Sequence, residues 1–410
     1  MLKKFKPTEM DERIDQLDAV RGFALIGICI ANLVSFAGFY VMTHSQRENL
    51  PWASMDPGVL FFIDWLVEGK FYSIFSLLFG MGFWLQATRA DKSISSFKVF
   101  WLRRMGALLL FGVAHMFLIW PGDILMLYSA MGIILLLFIK ASSRKLLLWV
   151  VLLLSLPWLI QWVAFFTSDH IFWKSLAQLS ERLKEQWGFG GRSLFDMQTS
   201  NSVFDHILSN FFRAVERPMS YLKSGRPMQV LGQFLLGMWI AREILFNMEG
   251  KQTLFYAWGK WMGGVGLFTG LVYASIKGFT GSPWSPDETG ILQSLAYHIS
   301  CTSLALWYIR LIWQNWLYKR WRKIFRWLVP LGRMPLTTYL TQSIIGLCLF
   351  YDFGLGWRGF MPFSGLIPIT LLIIILQQNF SRWWLSRRTR GPLESLWRLL
   401  AYGDLRVKQP

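Results

Sequence analysis

Apolar residues along this chain come in long blocks divided by short polar segments. They show neither the alternation of half-buried strands nor the narrow apolar stripe of soluble helices. Ten blocks stand out, at about 20–42, 58–87, 101–120, 123–140, 145–166, 229–248, 255–276, 290–313, 328–350 and 362–380. Runs of this kind match the roughly 20 residues a helix needs to cross the hydrocarbon core. The pattern predicts an all-α polytopic membrane protein of about ten transmembrane helices. The second block is long and is interrupted by Gly69-Lys70, which predicts either a kink or a short re-entrant piece followed by a span. Pro335 predicts a bend in the ninth.

Two stretches break the pattern. The segment 167–228 is the one sizeable piece between blocks, and within it Phe172–Trp187 and Ser202–Val215 have amphipathic helical spacing. Ser381–Gly403 is basic, then alternates Leu and Trp with polar residues, and reads as a helix lying on a membrane surface. The expected organisation is an N-terminal segment at 1–19, helices one to five over 20–166, an outer helical segment at 167–228, helices six to ten over 229–380, and an interfacial tail at 381–410.

Charge fixes the expected orientation. Only 16% of the 410 residues are charged, against about 25% in soluble proteins, while 54% are hydrophobic. A net charge of +18 could point to nucleic acid, but the bases are not spread as a binding face. They gather in alternate connecting segments: Lys3, Lys4 and Lys6; Arg89, Lys92 and Lys98; Lys140, Arg144 and Lys145; Lys319, Arg320, Arg322, Lys323 and Arg326; Arg382, Arg387, Arg388 and Arg390. The short segments between carry only Arg47, Lys277 and Arg358. The positive-inside rule then places both termini in the cytoplasm, with the bilayer, not nucleic acid, as the partner. Cys29, Cys301 and Cys348 lie in apolar blocks without metal-ligand spacing, so no metal is expected. The N-terminus mixes acids with bases and no small-residue cleavage site follows the first block, which reads as retained.

The polar residues inside the blocks are the candidates for chemistry, because a polar group at depth is costly and is usually present for a task. Arg21 opens the first block and Asn32 follows eleven residues later; Arg103-Arg104 open the third, and His115 follows Arg104 by eleven. Eleven helical residues rise about 16 Å. Two helices entering from one face would each carry arginine at the cytoplasmic interface and a polar group deeper in, a separation comparable to a pantetheine arm. Arginine suits the phosphates of coenzyme A, and a neutral histidine suits proton abstraction from an acceptor. Simpler readings stand beside these. Arg103 and Arg104 suit positive-inside anchoring, Arg21 a pair with Asp18, Asn32 an interhelical hydrogen bond and His115 packing. Asp123 follows the Pro121-Gly122 turn and serves either as a helix N-cap or as the partner of His115. His44 lies just past the first block, as a loop residue or an acid–base group, and Lys70 is a site candidate unless it reaches an interface. Arg333 reads as a further phosphate contact or an anchor.

These residues resemble the marks of the YeiB-type family of bacterial membrane proteins, a domain of unknown function. The marks are Leu17-Asp18-Ala19-Val20-Arg21-Gly22 with Asn32, Lys70-Phe71 followed by Ser76-Leu77-Leu78-Phe79-Gly80, His115 with Gly122-Asp123-Ile124-Leu125, Gly332 to Leu340, and Arg390-Gly391-Pro392-Leu393-Glu394. The opening motif is similar to that of two transmembrane acyltransferase groups. The acyltransferase-3 type has a catalytic histidine where this chain has Asn32. Heparan-alpha-glucosaminide N-acetyltransferase resembles this chain more closely there, with asparagine and a histidine near the position of His44. The resemblance implies a transmembrane acyltransferase bundle in a bacterial inner membrane, using cytoplasmic acyl-CoA, acetyl-CoA first among donors, and an envelope-side hydroxyl or amine acceptor, a small molecule, glycan or lipid. In that reading Arg21, Arg103 and Arg104 hold the donor, with Lys70 as a further binding candidate; His115 is the base, Asp123 orients it, Asn32 contacts the thioester or acceptor, and His44 is secondary. A transporter or flippase with Lys70, Asn32 and His115 along a polar path is the alternative, and a homodimer is compatible with either.

Overall fold

The computed structural model describes residues 14–88, 94–166, 191–245, 251–280 and 287–402, with 178–179, 181–183 and 185–187. Lys3, Lys4, Lys6, Arg89, Lys92, Gly403 and much of the helix expected over Phe172–Trp187 lie outside them. The described residues are helical, without strands. In chain order the helices are α1 (Asp15–Phe36), α2 (His44–Glu48), α3 (Asp56–Leu66), α4 (Lys70–Thr88), α5 (Ile94–Ala114), α6 (Leu125–Ile134), α7 (Ser143–Phe166), α8 (Leu194–Gln198), α9 (Val203–Ser224), α10 (Arg226–Ile240), α11 (Lys251–Thr280), α12 (Glu288–Asn315), α13 (Lys319–Arg333), α14 (Pro335–Phe350), α15 (Leu366–Leu385) and α16 (Pro392–Tyr402).

The chain is an all-helical membrane protein. Among the described residues, five segments are long and apolar enough to cross a bilayer: Asp15–Phe36, Ala53–Thr88, Ser96–Ile119, Ser143–Val163 and Phe363–Leu385. Leu125–Phe138 and Pro335–Phe350 are apolar but shorter. A helix occupies each of the other expected blocks, but with more polar content. The long second block is broken: Val67–Gly69 separate α3 from α4, and Gly69 takes a left-handed φ of 81°.

The ninth block is not continuous. Its first residues belong to α13, a strongly amphipathic basic helix, which ends at Met334 before Pro335 opens α14. Proline at the first position of a helix gives up no intrahelical donor, so the break costs little. The end of α13 crosses α1 at backbone contact. A side chain on Gly332 would overlap the Asp18 carbonyl, and one on Gly22 the Leu328 carbonyl. The pair α4–α10 is built the same way, with Gly80 against the Phe234 carbonyl and Gly237 against that of Leu77. Small residues at such crossings let helices approach where lipid offers no hydrophobic drive for association. The buried apolar residues form three main clusters: one around α1, α4 and α12, one around α1, α14 and α15, and one around α4, α5, α6 and α10.

Candidate functional site

The helices enclose a cavity of about 410 Å³ at the end of the bundle where α1 and α5 begin and α13 ends. Its mouth carries Arg21, Arg104, Arg333, Arg390 and Arg398, with Asp18 and Glu394. The rest of the wall is largely apolar, from Leu25, Ile28, Phe75, Phe79, Leu108 and Leu125, together with three tyrosines, Tyr72, Tyr128 and Tyr339. Helix periodicity explains the lining. Arg21, Leu25 and Ile28 fall on one face of α1, and Arg104 and Leu108 on one face of α5.

The arginines at the mouth divide by partner. Arg21 pairs with Asp18. Arg333 reaches Asp15 at 3.1 Å and Asp18 at 3.8 Å. Arg104 has no carboxylate partner among the described residues; its guanidinium stacks 3.8 Å from the Trp397 ring centroid, and its Nε is buried without a hydrogen bond. Arg390 likewise has no carboxylate partner among the described residues. Glu394, though acidic, is already occupied: its Oε1 accepts from the backbone amides of Leu336 and Thr337 at 2.7 and 3.0 Å, and its Oε2 from the Thr337 hydroxyl at 2.6 Å. It thus caps α14 from another helix. Burial raises its carboxyl from the usual range, and those hydrogen bonds pull the other way. The mouth is left with net positive charge.

Outside the cavity lining, behind Tyr339, sits a fully buried pair. His115 Nδ1 lies 2.9 Å from Asp123 Oδ1. The other carboxylate oxygen accepts the Met126 backbone amide at 2.8 Å, at the start of α6. Asp123 thus both caps a first-turn amide of α6, from the residue before the N-cap Ile124, and holds the histidine, one role for each oxygen. The α5 helix widens into a π turn over His115–Ile119, a distortion frequent at functional sites. A carboxylate at Nδ1 selects, for a neutral ring, the tautomer with its proton on Nδ1 and the lone pair on Nε2. Nε2 is buried and without a hydrogen-bond partner among the described residues. The His115 ring packs 5.1 Å from that of Tyr339, which lines the cavity, so one phenol separates the histidine from the cavity.

The other expected residues are placed as follows. Asn32 is half-buried on the α1 face that carries Leu25 and Ile28, one turn beyond the cavity. Arg103 is exposed and outside the cavity lining, because it is the neighbour of inward-facing Arg104 on a helix. His44 opens the short helix α2, is 85% exposed at its side chain and pairs with Glu48 at 3.1 Å, away from the cavity. Lys70 is fully buried but belongs to another cluster. Its Nζ donates to the Asp64 carbonyl at 2.7 Å and lies over the Tyr273 ring, while Lys277 binds Asp64 at 2.7 Å and Glu68 at 2.6 Å. Sequence reasoning did not find Tyr72, Tyr128, Trp397 or Arg398. The last two lie on the C-terminal amphipathic helix, and the Arg390 to Glu394 mark was the available signal that this tail closes the mouth.

The fold and this cavity define a polytopic membrane protein with a basic-mouthed pocket, and a buried histidine–aspartate pair lies behind its Tyr339 wall. Residues 240–404 match a family model described as a protein of unknown function (DUF418). Relatives align over nearly the whole chain. An uncharacterized protein, YxaH, of Bacillus subtilis (strain 168) is 30% identical over 98% of this chain and 97% of its own. An uncharacterized 39.9 kDa protein in the amylase 3' region of Bacillus acidopullulyticus is 27% identical over 97% and 96%. The uncharacterized protein YeiB of Escherichia coli (strain K12) is 27% identical over 95% and 96%. The chain belongs to this DUF418, or YeiB-type, family. No solved structure matches it.

Proposed function

We propose that the protein transfers a small acyl group from cytoplasmic acyl-CoA to a hydroxyl or amine presented from the opposite face of a bacterial inner membrane. The observation that carries this reading is the combination of Arg104 and Arg390, cations without carboxylate partners among the described residues, in a cavity whose Tyr339 wall packs against His115, whose Nε2 is buried without a hydrogen bond. Phosphates of the donor would sit against the guanidiniums, which bind them by charge-assisted hydrogen bonds. The pantetheine arm would lie along the apolar wall, over the roughly 16 Å that eleven residues of α5 span.

In this mechanism the acceptor oxygen or nitrogen attacks the thioester carbonyl carbon, His115 Nε2 takes its proton, and the carbon–sulfur bond breaks. The coenzyme A thiolate leaves and recovers a proton from the imidazolium. Asp123 holds the tautomer and stabilises the charged ring, as a carboxylate does in other His–Asp pairs. Tyr339 must turn aside for the base to be reached. Asn32, one turn past the pocket on the same helix face, is positioned for the acceptor side. The charge asymmetry of the sequence supports an orientation with the arginine mouth inward.

Thermal unfolding of the purified protein in neutral detergent tests the donor site. Coenzyme A raises the melting temperature, and an adenine nucleotide alone raises it less. In Arg104→Gln/Arg390→Gln the affinity falls at least tenfold, about 1.4 kcal/mol or more. No shift with coenzyme A, or the same shift in the double variant, contradicts the assignment.

A further inference from the structure

Two further arginines, Arg217 and Arg226, lie outside the cavity lining. Arg226 opens α10, joined to α9 by Gly225 at a left-handed φ of 57°. Its guanidinium stands 5.2 Å over the Tyr72 ring, the same ring that lines the cavity. One helix earlier, Arg217 stands 5.2 Å over the ring of Tyr221. Neither has a carboxylate partner among the described residues, and the Arg217 Nε is buried without a hydrogen bond. Glu68, whose field reaches Arg226, is already held by Lys277 at 2.6 Å and by the Tyr273 hydroxyl at 3.0 Å.

A further orphaned donor lies on α10. Gln229 is 1% exposed. Its Oε1 accepts from the Tyr72 hydroxyl at 2.8 Å and lies 2.9 Å from His298 Nδ1. Its Nε2 is buried with no hydrogen-bond partner among the described residues. The group is tied to the histidine–aspartate pair through Tyr221, whose hydroxyl donates to the Asp123 carbonyl at 3.4 Å. Half-buried guanidiniums without a carboxylate partner among the described residues carry a cost, and so does the unsatisfied buried amide donor beside them. A bound oxyanion relieves both costs, whereas an apolar or cationic ligand relieves neither.

We propose that Arg217, Arg226 and Gln229 form a binding site for a phosphate group, entered from the side of the bundle that carries α9. Resting on the acyl-transfer reading, this phosphate belongs to the acceptor, so the acceptor is a phosphate-bearing alcohol or amine rather than a neutral sugar. The phosphate is carried either by a soluble polyol phosphate or by a membrane lipid headgroup.

The test uses the full chain in uncharged detergent with two probes, glycerol 3-phosphate and dioleoylphosphatidylglycerol. Hydrogen exchange over residues 217–230 and the melting temperature are read together. Binding slows exchange in that segment for the wild type. In Arg217→Gln/Arg226→Gln the affinity falls at least tenfold, while Arg226→Lys, which keeps the charge, retains most of it and guards against a mere folding defect. A response to glycerol 3-phosphate assigns the soluble source, and a response to the lipid alone assigns the headgroup. No protection of 217–230 by either probe, equal affinity in the double variant, or loss of protection on Arg104→Gln instead, overturns the site. Failure of the donor reading shows separately, as a wild type that ignores coenzyme A.

Discussion

The two oxygens of Asp123 show how one residue serves fold and site together. Oδ2 holds the start of α6 and Oδ1 holds His115, so substitution should separate the two functions. In Asp123→Asn the amide can still orient the loop but no longer fixes the Nδ1–H tautomer. Acyl transfer is expected to fall roughly 10²–10⁴-fold with coenzyme A affinity unchanged, as read by turnover beside thermal shift. A second histidine has a structural role. His206 on α9 is 2% exposed and packs against the Tyr351 ring, and its Nε2 lies 3.0 Å from the Asn210 amide. Burial lowers its pKa from 6.5 to about 4. The unfolded chain then binds the proton more readily, so the stability from neutral His206 is complete above pH 6.5 and is lost as pH falls toward 4. At pH 5 the loss is about 2 kcal/mol. Melting temperatures at pH 7.5 and 5.0 should show this drop in the wild type and a smaller one in His206→Gln. At this scale the sequence was most legible where spacing and chemistry coincided. The contact of His115 with Asp123 was one of two roles open to Asp123 in the sequence, and it forms because a tight turn brings residues eight apart together. Arg103 and Arg104 could not be told apart, because hydropathy does not reveal helix rotation.

Among the elements, the sites of backbone contact carry most of the specificity. Gly332→Ala drives a methyl into the Asp18 carbonyl at the α1–α13 crossing, and overpacking of this kind costs about 1–3 kcal/mol. Denaturation in mild detergent should show it, with the mouth of the cavity loosened as well, since Gly332 and Asp18 both line it. Glu394→Ala removes a cap supplied to α14 by α16. A loss of about 1–2 kcal/mol is expected, with faster hydrogen exchange at Leu336 and Thr337. The marks Gly332-Arg333 and Arg390 to Glu394 were visible as motifs, but their meaning was not. One is a close crossing and the other a cap between helices far apart in sequence, and no local pattern encodes either. The boundary of the ninth block was misplaced for a related reason. Residues 328–333 are apolar enough to read as the start of a span, yet they end the amphipathic α13, and Pro335 begins a new helix.

For the molecule as a whole, the hydropathy blocks gave the all-helical membrane architecture directly, because each block must satisfy its own backbone hydrogen bonds within lipid. The cavity was not legible, since it arises from faces of α1, α4, α5, α6, α13, α14 and α16 that meet only in three dimensions. Orientation is testable on the intact chain. His44→Cys should be labelled by an impermeant maleimide in whole cells, and Lys319→Cys only in inverted vesicles. The proposed chemistry has its own direct measurement, the release of free coenzyme A from acetyl-CoA by the purified protein supplied with envelope-fraction acceptors. The wild type should turn over, and His115→Ala should lose at least 10²-fold in rate while still binding coenzyme A. Equal rates in the two proteins, or no acceptor-dependent release by the wild type, would contradict an acyltransferase with His115 as its base.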